Sequence, residues 1–216
     1  AHDERLFARL GSVRVAVSVP SFLDTLLHAP SLTPARDAAE VVVAGPSGAA
    51  LPSMLEEASV VAAELSAGVR PVDVLTGDAA SAAAVTRALV GAASVHIASR
   101  PVANDSTALQ LAGGEWIDGD VVAAALSSDD DEGGASGDKH APSLAVLSTR
   151  WFYDAPPEDV RHVLALGRAL LLAGVPSVVQ TITTASDSGT AFLVMRLRVE
   201  LRRGTAQPPS AALLSA

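Results

Sequence analysis

The 216-residue chain contains no cysteine. This absence excludes a cysteine nucleophile, a disulfide framework and any metal site built from thiolates. Aromatic residues are also scarce, at 3% of the chain, although 49% of all residues are hydrophobic. We therefore expect a hydrophobic core made of Val, Leu and Ala, and chemistry, if there is any, that does not use a thiol.

Positive charge and long apolar runs are also limited. The net charge is -9 and the 14 arginines are scattered, whereas phosphate binding needs clustered positive charge. The most apolar stretch, Val163 to Val179, is interrupted by Arg168 and Pro176, and the first twenty residues lack a signal-peptide pattern. We expect a soluble intracellular protein with no nucleic-acid or membrane partner, cut from a longer polypeptide.

Short β-branched runs alternate with helical stretches, which is typical of an α/β fold with a mostly parallel sheet and helices on both faces. The predicted strands are Val13–Val19, Val41–Ala44, Val72–Leu75, Ser94–Ala98, Leu144–Ser148 and Ser177–Ile182. The predicted helices are Met54–Ala67, Ala79–Val90 capped by Asp78, a short helix capped by Asp118 or Asp120, Pro157–Ala173, and one from Ser186 or Asp187 to Arg203. A hairpin is predicted from Thr107–Leu111 and Glu115–Ile117. The strands at 94–98 and 144–148 are nearly all apolar, and we expect them side by side in the sheet centre.

Two helices have a periodic apolar pattern that predicts which side is buried. The predicted buried stripe of the first helix is Leu55, Ala58, Ala62 and Leu65. In the last helix one face is predicted to carry Phe192, Met195, Val199 and Arg202. Arg196, Arg198 and Arg203 occupy the last turns of that helix, where the helix dipole favours cations.

Residues 127–142 form a segment of low complexity in which the acidic run Asp129–Glu132 is followed by Gly and Ser. Such a segment cannot bury enough apolar surface to offset its ordering entropy, so we predict a flexible acidic insertion. Asp138 and His140 could join the acidic run around a divalent cation, but the spacing does not follow an EF-hand loop. We predict a solvated loop, and neither a metal site nor a cofactor site.

Several landmarks occur in the order found in one protein family. They include Leu75-Thr76-Gly77, Val95-His96-Ile97-Ala98, Val146-Leu147-Ser148 and the run from Leu172 to Val179. Over residues 39–212 the chain resembles the CHAT domain, a caspase-like module usually found behind tetratricopeptide repeats. The resemblance implies a caspase-like three-layer α/β sandwich, with residues 1–38 as an N-terminal segment that contains the first strand.

The resemblance places the family's catalytic His and Cys at Arg100 and Arg150. A guanidinium group stays protonated at physiological pH, so it can neither abstract a proton nor attack a carbonyl. Pro101 also replaces the glycine that follows the family's histidine, which removes a backbone donor. We interpret the chain as a catalytically inactive pseudoprotease that acts as a scaffold or protein interaction module. Its partners would be proteins, such as a large assembly or a tetratricopeptide segment, in the cytoplasm, the cytoskeleton or the cilium.

Arginine and aromatic residues stand together where the family has its substrate cleft. The candidate partner-binding residues are Arg100, Arg150, Trp151, Phe152 and Tyr153. The simplest alternative is local packing of that loop. Two further alternatives are a peptide-binding groove without cleavage and a hydrolase that recruits Ser148 or Ser99 with Asp187. The remaining histidine of this region, His96, is predicted to be a structural, hydrogen-bonded residue rather than a base.

Overall fold

The fold is described by a computed structural model over residues 38–45, 53–102, 105–127, 141–149, 165–181 and 187–203. The strands are β1 (Glu40–Ala44), β2 (Val72–Leu75), β3 (Ser94–Ser99), β4 (Pro101–Val102), β5 (Asp105–Gln110), β6 (Trp116–Ile117), β7 (Ala145–Thr149) and β8 (Val178–Gln180). The helices are α1 (Ser53–Ser66), α2 (Ala82–Leu89), α3 (Gly119–Ser127), α4 (Ala165–Leu172) and α5 (Asp187–Arg203), with short 3-10 turns at Gly77–Ala79 and Ala112–Gly114. The predicted α/β class is confirmed.

The main sheet has five parallel strands in the order β2-β1-β3-β7-β8. Strands β3 and β7 are neighbours near its centre, as the sequence predicts, and their register pairs Val95 with Ala145 and Ser99 with Thr149. Every residue of both strands is buried. A strand that is covered on both faces has a continuous apolar sequence, which is why the apolar pattern identified β3 and β7.

Alternate residues of the strands pack into two different layers. Val43, Ile97 and Leu147 belong to the larger apolar cluster, which includes Leu89 of α2 and Leu170 of α4. The neighbouring residues Val42 and Ala44 point to the opposite face, where Ala58 and Val61 of α1 and Met195 of α5 cover them. The sheet therefore lies between α2, α3 and α4 on one side and α1 and α5 on the other, which completes the three layers.

A small antiparallel sheet follows β3 and contains the predicted hairpin. Gly113 and Gly114 have φ angles of 63° and 81° in the connection, a region that disfavours side chains with a Cβ. Leu109 and Ile117 are paired across the hairpin and are buried in the larger cluster. The next pair, Gln110 and Trp116, lies on the other side of this small sheet because side chains alternate along a strand.

The buried side of α1 differs from the predicted stripe. Leu55 is 36% exposed, while Met54, Glu57, Ala58 and Val61 are buried. Ala62 and Leu65 pack against the smaller cluster, as expected, so the stripe is rotated by about one residue at the start of the helix. The prediction was wrong there because it counted apolar residues only and so left Glu57 out of the buried side.

Helix α5 requires a larger correction. Phe192 is 64% exposed, whereas Thr190, Ala191, Val194, Leu197 and Arg198 are buried. Arg198 therefore faces the sheet and does not act as an exposed cation at the helix end.

The N-cap of α2 also differs from the prediction. Its cap is Ser81, whose Oγ accepts from the backbone N–H of Ala84, and Asp78 lies in the preceding 3-10 turn. Asp118 does cap α3, by accepting from the N–H of Val121 at 2.9 Å.

Several predicted features lie outside the described residues. They are the strand Val13–Val19, residues 128–140 of the acidic insertion, the helix start at Pro157–Asp159, and Arg150 with Trp151, Phe152 and Tyr153. The domain division at residue 38 likewise stays a prediction. Among the helices that the structure describes, none combines the length and the apolar character needed to cross a membrane.

Candidate functional site

The carboxyl edge of the parallel sheet brings together the ends of β3 and β7. Ser99, the last residue of β3, is paired in register with Thr149, the last residue of β7. Arg100 therefore follows a strand that is adjacent to β7, and Arg150 is outside the described part of the chain. Ligand sites of open α/β sheets form at this edge.

The side chain of Arg100 is held by the hairpin that follows it. Its Nε donates to Oε1 of Gln110 at 2.6 Å, and the backbone N–H of Gln110 donates to the carbonyl of Arg100 at 2.9 Å. Ser99 Oγ donates to the carbonyl of Gln110 at 2.5 Å. One hairpin residue thus fixes both the backbone and the guanidinium group of Arg100 at the sheet edge.

Trp116 extends this arrangement to the surface. It is paired with Gln110 across the hairpin, so the two side chains stand on the same face of the small sheet. The indole is 54% exposed. Glu115 beside it is used structurally, because its carboxylate accepts from the backbone N–H of Ala82 at the start of α2. Arg100, Gln110 and Trp116 therefore form a continuous row, which we call the edge patch.

Gly45 allows the hairpin to approach the end of β1. A Cβ at this position would lie 2.5 Å from Oγ of Ser99 and 2.8 Å from the carbonyl oxygen of Gln110. The N–H of Gly45 also donates to the carbonyl of Ala98 at 2.7 Å. Glycine is needed here because of this close packing, and the backbone beneath the edge patch cannot move away without losing the bond.

We expect Gly45→Ala to destabilise the protein by about 1–3 kcal/mol, because the added methyl group would force the β3 end and the hairpin apart. The loss should appear as a lower midpoint in urea with an unchanged slope. Adding Ser99→Ala should recover part of the loss, since it removes the closest contact but leaves the carbonyl of Gln110. A Gly45→Ala variant as stable as the wild type would contradict the close packing.

Beneath the same strand ends, three polar side chains are completely buried between α1 and the sheet. Glu57 Oε1 lies 2.8 Å from Nε2 of His96, and its Oε2 accepts from Oγ of Ser148 at 3.1 Å. His96 is thus a structural, hydrogen-bonded residue, as predicted. One carboxylate of α1 links two adjacent strands, and a buried carboxylate requires such partners.

Arg198 of α5 enters the same polar layer from the other helix. Its Nη1 donates to Oγ of Ser94 and its Nη2 to the carbonyl of Val95, both at 3.3 Å. The Oγ of Ser94 in turn donates to Glu40, whose carboxylate pairs with Arg70 at 3.3 Å. Both helices of this layer are therefore joined to β3 by polar contacts as well as by apolar packing.

Burial lowers the pKa of Arg198 well below its ordinary value, to about 10, while the negative charges of Glu40 and Glu57 oppose this shift. The guanidinium is therefore still protonated near neutral pH. Because the folded protein releases this proton at lower pH than the unfolded chain, the stability linked to Arg198 rises with pH only above about pH 10. Arg198 gives no pH dependence of stability near neutrality.

A model of the CHAT domain family matches residues 7–216. The chain belongs to the CHAT domain family. CHAT domains are caspase-like, and this one has no cysteine, so the protease dyad of the family is absent from it. No curated protein matches the chain.

The two serines of the alternative hydrolase lie in the interior of this CHAT domain. Ser148 is buried and donates to Glu57, and Ser99 is buried and donates to the carbonyl of Gln110. Glu57 bridges His96 and Ser148, so the hydroxyl group of Ser148 donates to a carboxylate. Within the described ranges, no three His, Asp or Glu side chains are grouped closely enough to hold a metal ion.

Sequence reasoning missed two residues of this region. Gln110 gave no signal, because its role depends on the hairpin bringing it to Arg100. Glu57 was not predicted to be buried; the available signal was its position between Met54 and Ala58 on the apolar side of the helix, where a carboxylate needs partners.

Proposed function

We propose that this CHAT domain is catalytically inactive and acts as a protein interaction module, and that the edge patch contributes to its binding surface. The observation that carries the proposal is the hydrogen bond from Arg100 to Gln110 beside the exposed Trp116. By the family resemblance, the position of a catalytic base is occupied by a cation that Gln110 holds in place, and the exposed indole of Trp116 lies on the other side of Gln110. Trp and Arg are the residue types enriched at interface hot spots.

The chemistry of the described residues supports inactivity. There is no thiol in the chain, and His96 is enclosed between α1 and the sheet with its Nε2 bound to Glu57. Arg100 cannot accept a proton from a nucleophile. Pro101 begins β4 and pairs with Leu109, so the residue after the old histidine position is part of the hairpin and has no N–H to stabilise an oxyanion.

The geometry of the edge patch supports binding. Arg100 is oriented before any partner arrives, so little side-chain entropy would be lost when a carboxylate or carbonyl group of a partner contacts it. The exposed indole of Trp116 would supply apolar area on the same face. The same proposal includes a scaffolding role in a larger assembly. It also includes Arg150 and the aromatic residues 151–153 as further candidate partner-binding residues.

The interaction role is tested by recovery of partners from the native source after cross-linking. We expect Trp116→Ala to reduce recovery of the specific partners about tenfold or more, because truncating a hot-spot residue costs about 2 kcal/mol or more. Leu172→Ala is the matched control, since Leu172 is 57% exposed but lies on α4, and it should have no effect. Arg100→His with Arg150→Cys should also weaken recovery. Equal recovery with wild type and Trp116→Ala would refute the edge patch as a binding surface.

Inactivity is tested separately with a reactive probe for serine hydrolases and a peptide library. We expect neither labelling nor cleavage. Labelling that disappears in Ser148→Ala or Ser99→Ala would establish the alternative hydrolase and contradict the proposal.

A further inference from the structure

We draw no further inference here: the strongest candidate, the exposed apolar surface patch of α5 around Phe192 and Leu193, carries none because nothing in the structure shows what covers it.

Discussion

Val146→Asp is expected to prevent folding of this CHAT domain. Val146 is buried in β7, paired with His96 of β3 on one side and Val179 of β8 on the other. It lies on the same sheet face as His96, whose Nε2 is already bound to Glu57, so the new carboxylate would be a second negative charge in that layer. Burying an unpaired charge costs several kcal/mol or more, a large part of the roughly 5–15 kcal/mol by which domains are stable.

The measurement is a thermal or urea unfolding curve of the purified variant. We expect insoluble protein or a curve without a cooperative transition. Val74→Asp is the matched control, because Val74 is a valine of the edge strand β2 and is largely exposed. It should fold with a change of about 1 kcal/mol or less. A soluble Val146→Asp variant that unfolds cooperatively near the wild-type temperature would contradict the central position of β7.

Glu57→Ala is expected to destabilise the protein by about 3–5 kcal/mol, because removing one member of a buried polar group leaves the others without their partner. The variant removes the acceptor of Ser148 and the contact of His96, and it takes away a negative charge that favours protonated Arg198. It also leaves a cavity at a fully buried position. Chemical denaturation would measure the change in the free energy of unfolding.

Two companion variants separate these causes. Glu56→Ala removes the neighbouring carboxylate, which is exposed, and should change stability by no more than about 0.5 kcal/mol. Glu57→Gln keeps the shape and one oxygen acceptor while removing the charge, so it should fall between the wild type and Glu57→Ala. If Glu57→Ala were no more harmful than Glu56→Ala, the buried network would make no net contribution to stability.

The polar layer lies close to the edge patch along the chain. His96 lies on β3, which ends three residues further on at Ser99, and Ser148 lies on β7, which ends one residue further on at Thr149. Arg100 follows directly and is oriented by Gln110. Polar contacts therefore hold the ends of these strands, and the proposed binding surface at that edge would need such support.

Much of the fold was accessible from local patterns. The β-branched runs at 41–44, 72–75, 94–98 and 144–148 identified strands, and their apolar character on both faces predicted that β3 and β7 are central and adjacent. The two glycines at 113 and 114 predicted the turn of the hairpin, and Asp118 predicted the start of α3. These features depend on residues close together in sequence, so a single chain is enough to read them.

The contacts of the polar groups were not accessible in this way. Glu57 lies 39 residues before His96 and 91 before Ser148, and Arg198 is 104 residues after Ser94. The residue type of a carboxylate or guanidinium group on a helix favours a solvent-facing position, because burial is favourable only when distant partners are present. Composition alone excluded thiol chemistry, and the sequence pattern predicted a parallel α/β sheet. Only the tertiary structure decides which distant strands and helices meet. That arrangement determines the burial of Glu57 and Arg198, the exposure of Phe192, and the position of Gln110 beside Arg100.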